Sequence, residues 1–156
     1  MATGRLAGIA RHDRPRGPME TIGRAAVSAA AGIAGDYRGT AFSGAKAKRQ
    51  VSLIEAESWI AAMAELGLSG EEAIGWEERR ANLLVEGLRL PREPGRVIAI
   101  GPTVRIETTV ECDPCGRMEE VRPGLRAALA PDWRGGVLGK VVRDGEIAVG
   151  DEVAIL

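Results

Sequence analysis

Apolar and polar residues alternate in short runs along much of the chain, which is the pattern of β-strands with one buried face. In the clearest run, 103–110, one face carries Val104, Ile106, Thr108 and Val110. Short apolar or alternating runs predict further strands at 6–10, 21–34, 50–54, 82–85, 96–100, 137–142 and 152–156. The run 21–34 is rich in Ala, but its glycines and its alternation favour a strand over a helix.

Helical spacing is confined to a few short segments. The clearest helix is predicted over 55–66, with Gly67 as its stop, and a brief second one follows from Ser69 to Trp76. Two further helical pieces are predicted at 115–121 and 124–129, whereas 11–18 and 39–49 have the composition of loops. Turns are predicted at 35–39, 91–95, 144–145 and 150–151. Many short strands with few helices indicate a mainly β protein, a closed or half-closed β-barrel.

Composition supports one domain over residues 1–156. The 16.5 kDa chain has 45% hydrophobic and 28% charged residues, which is ordinary for a globular protein and argues against disorder. Its 21 glycines, 8 prolines and 3% aromatic residues argue against a bundle of long helices. We find no internal repeat and no linker.

The net charge of −1 hides an uneven distribution. Residues 1–49 hold nine Lys or Arg and three acidic residues, a balance of +6, whereas the remainder holds 12 and 19, a balance of −7. A basic front third suits an anionic partner such as a phosphate, although it could also be a solvated basic face. Nucleic acid is not expected, because no aromatic residues interleave with the basic ones. Without a membrane-length apolar run, a secretory signal or a disulfide framework, we expect a cytoplasmic protein.

The candidate chemistry lies in the segment 111–118, which contains Cys112-Asp113-Pro114-Cys115. It follows a predicted strand and opens a predicted helix, so Cys115 would meet the positive end of the helix dipole. That position and the nearby Arg117 favour a thiolate, the form that attacks sulfur or binds a soft metal.

The residues alone leave several interpretations open. A structural zinc site needs four ligands, and the chain offers two cysteines and His12. A dithiol redox pair of the thioredoxin type fits the Cys-x-Pro-Cys spacing, but that motif normally stands early in a βαβ unit. A single reactive or metal-binding Cys115 also fits these residues, and so does a pair of inert cysteines.

Motifs spread over about 35–153 resemble the MOSC domain family, named for the C-terminal domain of molybdenum cofactor sulfurase. They occur in the family's order, and they are Gly35-Asp36-x-x-Gly39, Arg49-Gln50-Val51-Ser52-Leu53 with Glu57, Arg80-Ala81-Asn82-Leu83 with Val85-x-Gly87-Leu88, Pro94-Gly95 with Gly101, Pro114-Cys115, Arg134-Gly135-Gly136-Val137, Gly145-x-Ile147 and Val149-Gly150-Asp151. Each is weak alone, but their order and spacing together make the resemblance specific.

The resemblance implies a β-barrel with small helices, like the β-barrel domain of pyruvate kinase, in a stand-alone MOSC protein. It implies binding of molybdenum cofactor (molybdopterin), or transport of sulfur as a Cys115 persulfide for metal–sulfur cofactor assembly. An anionic pterin and a cysteine desulfurase or molybdoenzyme are the implied partners. The alternative that it implies is a molybdenum-dependent reductase of N-hydroxylated compounds, with Cys115 as the molybdenum ligand. Pyridoxal phosphate is not expected, because the desulfurase domain of full-length sulfurases has no counterpart here.

Other motif residues are assigned to the cofactor. Arg49, with Gln50 beside it, is a candidate contact to the cofactor phosphate as a guanidinium fork, or else an exposed basic side chain. Asn82 is a candidate to bind a pterin edge or to tie a turn together. Arg134 with Gly135 is a candidate second anion contact or part of a simple loop. The sequence departs from the family where many members have a His, at Tyr37-Arg38, and a Glu, at Ala81. These departures motivate a further alternative, a domain that keeps the fold without the chemistry.

Overall fold

Seven strands close into a barrel in the structure, a computed structural model that describes residues 2–156 apart from the side chain of Lys46. The strands along the chain are β1 (Thr3–Arg11), β2 (Glu20–Ile22), β3 (Arg24–Ser28), β4 (Gly32–Ile33), β5 (Val51–Glu55), β6 (Leu83–Glu86), β7 (Val97–Ile100), β8 (Val104–Glu111), β9 (Val137–Arg143), β10 (Gly145–Ala148) and β11 (Glu152–Ile155). The helices are α1 (Tyr37–Ala41), α2 (Ala56–Glu65), α3 (Gly116–Val121) and α4 (Leu125–Leu129). Short 3-10 helices cover Gly44–Arg49, Gly70–Glu72, Trp76–Arg79 and Pro131–Trp133.

The barrel runs β1, β6, β5, β9, β8, β7, β11 and back to β1. Within it β5 and β6 pair in parallel, and the other pairs are antiparallel. Nine-residue β1 closes the barrel because different parts of it pair with different strands: its first residues pair with β11, its middle with β6 and its end with β2. Closure satisfies both edges of the sheet without a partner chain.

Small aliphatic side chains fill the barrel, and a second apolar cluster packs outside it. Fully buried side chains inside the barrel include Leu6, Ile9, Leu53, Leu83, Ile100 and Ile106. The outer cluster joins α2, α3 and α4 through Trp59, Met63, Met118, Leu125 and Leu129. The small sheet β10-β3-β4 lies beside the barrel. The mainly β barrel with small helices is therefore confirmed.

Most predicted strands and helices are confirmed within a residue or two, but 21–34 is not one strand. It forms β2, β3 and β4, because Gly23 and the turn at 29–31 interrupt it. The turn predicted at Gly35–Gly39 is wrong in part, since the Asp36 carboxylate accepts a hydrogen bond from Gly39 N and so caps helix α1.

Three further expectations need correction. The helix predicted from Ser69 to Trp76 is instead two separate 3-10 turns, and Ser69 makes no capping bond. Val110 is 37% exposed, because β8 shifts register against β9 between Thr108 and Glu111 and the alternation fails there. The hairpin signal at 144–145 leads into β10, which pairs with β3.

Within the described residues, no helix is both long and apolar enough to cross a membrane.

Candidate functional site

The two cysteines sit in a loop between β8 and α3 with opposite exposure. Cys112 is buried and follows the last residue of β8, whereas Cys115 is exposed and stands at the N-cap of α3. Both thiols are free. Because α3 has only six residues, its dipole is a minor source of positive charge for Cys115.

The buried Arg79 anchors this loop through hydrogen bonds. Its guanidinium donates to the carbonyl oxygens of Cys112, at 2.7 Å, and Gly135, at 3.0 Å. The Cys112 amide in turn donates to the Gly136 carbonyl at 2.9 Å. A Cβ on Gly135 would lie 2.5 Å from the Cys112 carbonyl oxygen, so the two segments touch along their backbones. The cysteine loop and residues 135–136 are therefore held together by the buried Arg79 guanidinium group.

His12, at the end of β1, lies beside the Gly35-Asp36 motif. Its amide donates to the Asp36 carboxylate at 3.1 Å, and its carbonyl accepts from Tyr37 N at 2.7 Å. The His12 ring is buried, its Nδ1 lies 3.5 Å from an Asp36 oxygen, and that nitrogen has no hydrogen-bond partner among the described residues. A cavity of about 340 Å³ opens next to it. The chain's one histidine therefore lies against the turn of the Gly35-Asp36 motif, although it is distant from that motif in the sequence.

The charges of three arginines act on this histidine. Burial lowers the pKa of His12 below its ordinary value, the Asp36 carboxylate opposes that shift, and the charges of Arg80, Arg38 and Arg117 lower the pKa further. The pKa of Arg80 is also lowered, first by burial and then by the charges of Arg117 and Arg38. The positive charges of Arg38 and Arg117 thus disfavour the charged form of Arg80 as well as that of His12.

The backbone of Arg80 also has an unusual conformation. Its φ of 65° is in the left-handed region, which a residue with a long side chain rarely adopts and which is common at functional sites. Arg117 is in the first turn of α3, two residues beyond the exposed Cys115. We call Arg38, Arg80 and Arg117 the arginine cluster, and its arrangement suits an anion.

Of the residues predicted to bind cofactor, Arg49 and Gln50 differ most in their surroundings. Arg49 is exposed at the end of its 3-10 helix and free to contact a ligand. Gln50 is fully buried, where its amide nitrogen donates to the carbonyls of Ala29 and Gly39 and its oxygen accepts from Val141 N. Gln50 therefore links three segments of the fold.

Asn82 is committed to internal contacts as well. Its side-chain oxygen accepts from the amide and hydroxyl of Ser52, and its nitrogen donates to the Ala10 carbonyl at 3.1 Å. Arg134 forms an ion pair with Glu65 and donates to the Ala128 carbonyl. Their predicted roles at a cofactor stay predictions.

Sequence reasoning missed His12, Arg38, Arg79 and Arg80 as site residues. His12 lies outside the motif in sequence, and its contact with Asp36 forms only when the chain folds. A signal did exist for two of the others: the pair Arg79-Arg80 ends a long acidic segment and precedes the Asn82 motif.

Glu111 and Asp113 form a carboxyl pair where β8 enters the cysteine loop. Burial and the neighbouring Asp113 carboxylate, to which it is hydrogen-bonded, raise the pKa of Glu111. Among the described residues, no three His, Cys, Asp or Glu side chains are grouped so that they could hold a metal ion.

A known domain family matches most of the chain. The MOSC domain family model matches residues 34–154. This chain belongs to the MOSC domain family. No curated protein matches the sequence of this MOSC domain.

Solved structures share its fold. The YuaD protein from Bacillus subtilis superposes with a TM-score of 0.78 at 21% identity, covering 98% of this chain and 95% of that one. YiiM from Geobacillus stearothermophilus gives 0.72 at 13% identity, covering 98% and 75%. YiiM from Escherichia coli gives 0.69 at 13% identity, covering 97% and 69%. At these identities the likeness shows the fold.

Proposed function

We propose that this MOSC domain binds molybdenum cofactor at the arginine cluster and carries sulfur as a Cys115 persulfide for metal–sulfur cofactor assembly. One observation carries the proposal: the exposed Cys115 thiol stands two residues before Arg117, whose charge acts together with those of Arg38 and Arg80 on the buried His12. Family membership makes molybdenum cofactor the first anion to consider.

The residues present fit the cofactor's chemistry. Guanidinium groups bind phosphate oxygens through paired hydrogen bonds, and a bound phosphate would offset both the burial and the arginine charges that lower the pKa of Arg80. Thiolate is a soft ligand of the kind that molybdenum accepts. Arg38, Arg80 and Arg117 would therefore hold the phosphate, and Cys115 would face the metal. When bound, the cofactor supplies a molybdenum centre that takes sulfur ligands.

The sulfur-loading step requires a donor persulfide, such as that of a cysteine desulfurase. The Cys115 thiolate attacks the outer sulfur of the donor, so a new S–S bond forms at Cys115 and the S–S bond of the donor breaks. The donor's inner sulfur leaves as a thiolate and takes up a proton. No net oxidation occurs, and the nearby guanidinium charges stabilise the anionic persulfide produced.

Mass spectrometry of the intact protein, before and after incubation with inorganic polysulfide, tests the carrier role. We expect one added sulfur atom on Cys115, removed by a reductant, in the native chain and in Cys112→Ser, and none in Cys115→Ser.

Arg80→Gln should weaken binding of molybdopterin without preventing folding. A Cys112–Cys115 disulfide with no persulfide would instead indicate a dithiol redox protein. No sulfur uptake and no molybdopterin binding would indicate a domain that keeps the fold without the chemistry.

A second candidate, the molybdenum-dependent reductase of N-hydroxylated compounds, is favoured by Glu111. Reduction of an N–OH group consumes protons, and Glu111 has a raised pKa at the end of the strand that leads into the cysteine loop. Turnover that requires molybdenum, an electron donor and Cys115 would support this activity. A stable persulfide without turnover would support the carrier.

A further inference from the structure

One segment of the chain is strongly acidic and lies outside the cysteine site. Residues 50–78 contain seven glutamates and no Lys, Arg or His. Glu55 and Glu65 pair with Arg92 and Arg134 from other elements. Glu71 and Glu72, in the 3-10 helix that follows α2, are exposed to solvent. Glu71 and Glu72 therefore place negative charge on this part of the surface.

The same segment forms an apolar groove of about 540 Å³ between α2 and the stretch that follows it. Its apolar lining is Trp59, Ile60, Met63, Leu68, Ala73 and Ile74. Ile60 is 66% exposed, the largest exposed fraction among the large apolar side chains of the described residues. The Trp59 indole N–H donates to the Ile74 carbonyl at 2.8 Å and so fixes one wall against the other. The groove is thus preformed.

We propose that this groove docks an amphipathic helix of a partner protein, with apolar side chains on one face and Lys or Arg on its flanks. The apolar lining would take the anchor side chains, as in other helix-in-groove complexes. Glu71 and Glu72, which stand in the chain between the lining residues Ser69 and Ala73, would attract the basic flanks and speed association. The basic first third of this chain would repel the same helix, which directs it to the groove rather than to the arginine cluster.

The proposal goes beyond the chemistry at Cys115. A protein that takes or passes sulfur or electrons needs a partner held against it. An acidic apolar groove separate from the anion site would hold that partner without competing for the cofactor. Binding at the groove should therefore persist in Cys115→Ser, which separates this proposal from the proposed function.

The test uses the full-length ¹⁵N-labelled protein and a synthetic helical peptide. The probe is a peptide of about 14 residues with Leu at helical i, i+3, i+4 and i+7 spacing and Lys elsewhere. We expect its addition to shift the Trp59 indole signal and the backbone signals of 60–74, with weaker binding at higher salt. Ile60→Glu should reduce affinity at least tenfold and Glu71→Lys with Glu72→Lys severalfold. Val142→Glu, a matched change at an apolar residue that is 49% exposed on β9, should leave affinity unchanged.

Three results would overturn the proposal. The first is absence of shifts at the groove, and the second is equal binding by a peptide in which Glu replaces every Lys. The third is a dimer in sedimentation velocity that Ile60→Glu dissociates, because the groove would then be occupied by a second copy of this chain.

Discussion

The guanidinium group of Arg79 donates a 2.7 Å hydrogen bond to the carbonyl oxygen of Cys112 and lies 3.2 Å from that residue's sulfur. Arg79 is only 6% exposed, and it also donates to the Gly135 carbonyl. Within the described part of the chain, these partners are backbone oxygens and a thiol rather than carboxylates. The conformation of the cysteine loop therefore provides the hydrogen-bond acceptors of the buried guanidinium group. The guanidinium group in turn stabilises that conformation.

Replacing Arg79 with Ala should destabilise the domain strongly. The change leaves the carbonyl oxygens of Cys112 and Gly135 buried without their donor, and each unsatisfied group costs about 1–3 kcal/mol. We expect a loss of roughly 2–5 kcal/mol in the free energy of unfolding, measured by urea denaturation. Alkylation of the exposed Cys115 should also change in rate, because its loop loses an anchor.

Arg89→Ala is the matched control, because Arg89 forms an exposed ion pair with Asp132. Such surface pairs contribute little, so its unfolding curve should nearly overlay that of the parent. Equal destabilisation by the two changes would contradict the structural role of Arg79.

Gln50 and Arg49 are sequence neighbours with opposite expected behaviour. Gln50→Met should cost roughly 2–4 kcal/mol, because two buried backbone groups and one half-buried group lose their partner. Arg49→Ala should leave stability unchanged, because its side chain is exposed, and should reduce molybdopterin affinity if the predicted phosphate contact exists. Urea denaturation and a binding titration on both variants separate the two roles. A stable Gln50→Met variant with weakened cofactor binding would instead favour the predicted ligand contact.

The sequence carried enough information for the barrel because its strands have local signals. Alternation and turn residues mark strands such as β8 and β9, and one long strand, β1, closes the barrel. The local pattern does not show which strands pair when they are far apart in the sequence. The pairing of β10 with β3 and the break-up of 21–34 depend on contacts made only after the chain folds.

For the same reason, only part of the candidate site could be predicted from the sequence. Cys115 could be identified because a cysteine between a strand and a helix is a local signal. The arginine cluster could not, because Arg38, Arg80 and Arg117 come from three distant segments. Gln50 and Asn82 show what motif reading cannot report: both lie in motifs, and the structure shows that their polar atoms also hydrogen-bond within the fold.

Two glycines should respond oppositely to substitution by alanine. Gly136 has a φ of +106°, and a Cβ there would collide with the Leu53 carbonyl oxygen, so Gly136→Ala should severely destabilise or prevent folding. Gly23 lies between β2 and β3 with no atom within 4 Å of an added Cβ. Gly23→Ala should be neutral or stabilising by up to about 1 kcal/mol. Thermal unfolding followed by circular dichroism measures both, and tolerance of alanine at Gly136 would contradict the close approach of these strands.

His12 provides a direct reporter of the arginine cluster, because the chain has one histidine. Its pKa is lowered by burial and by Arg80, Arg38 and Arg117, so its NMR titration midpoint should lie below the ordinary value of 6.5. Since the folded pKa is depressed, the contribution of His12 to stability is present above pH 6.5. It is lost as the pH falls through the folded pKa.

An anion bound among the arginines reverses part of this shift. Inorganic phosphate should raise the midpoint of the His12 titration, because its negative charge stabilises the imidazolium, and by linkage phosphate should bind more tightly as the pH falls. Arg80→Gln should also raise the midpoint without phosphate and weaken the response to it, whereas the exposed Arg24→Gln on β3 should change neither. A midpoint at or above 6.5, or one that phosphate leaves unchanged, would show that the three guanidinium groups do not form an anion site around this histidine.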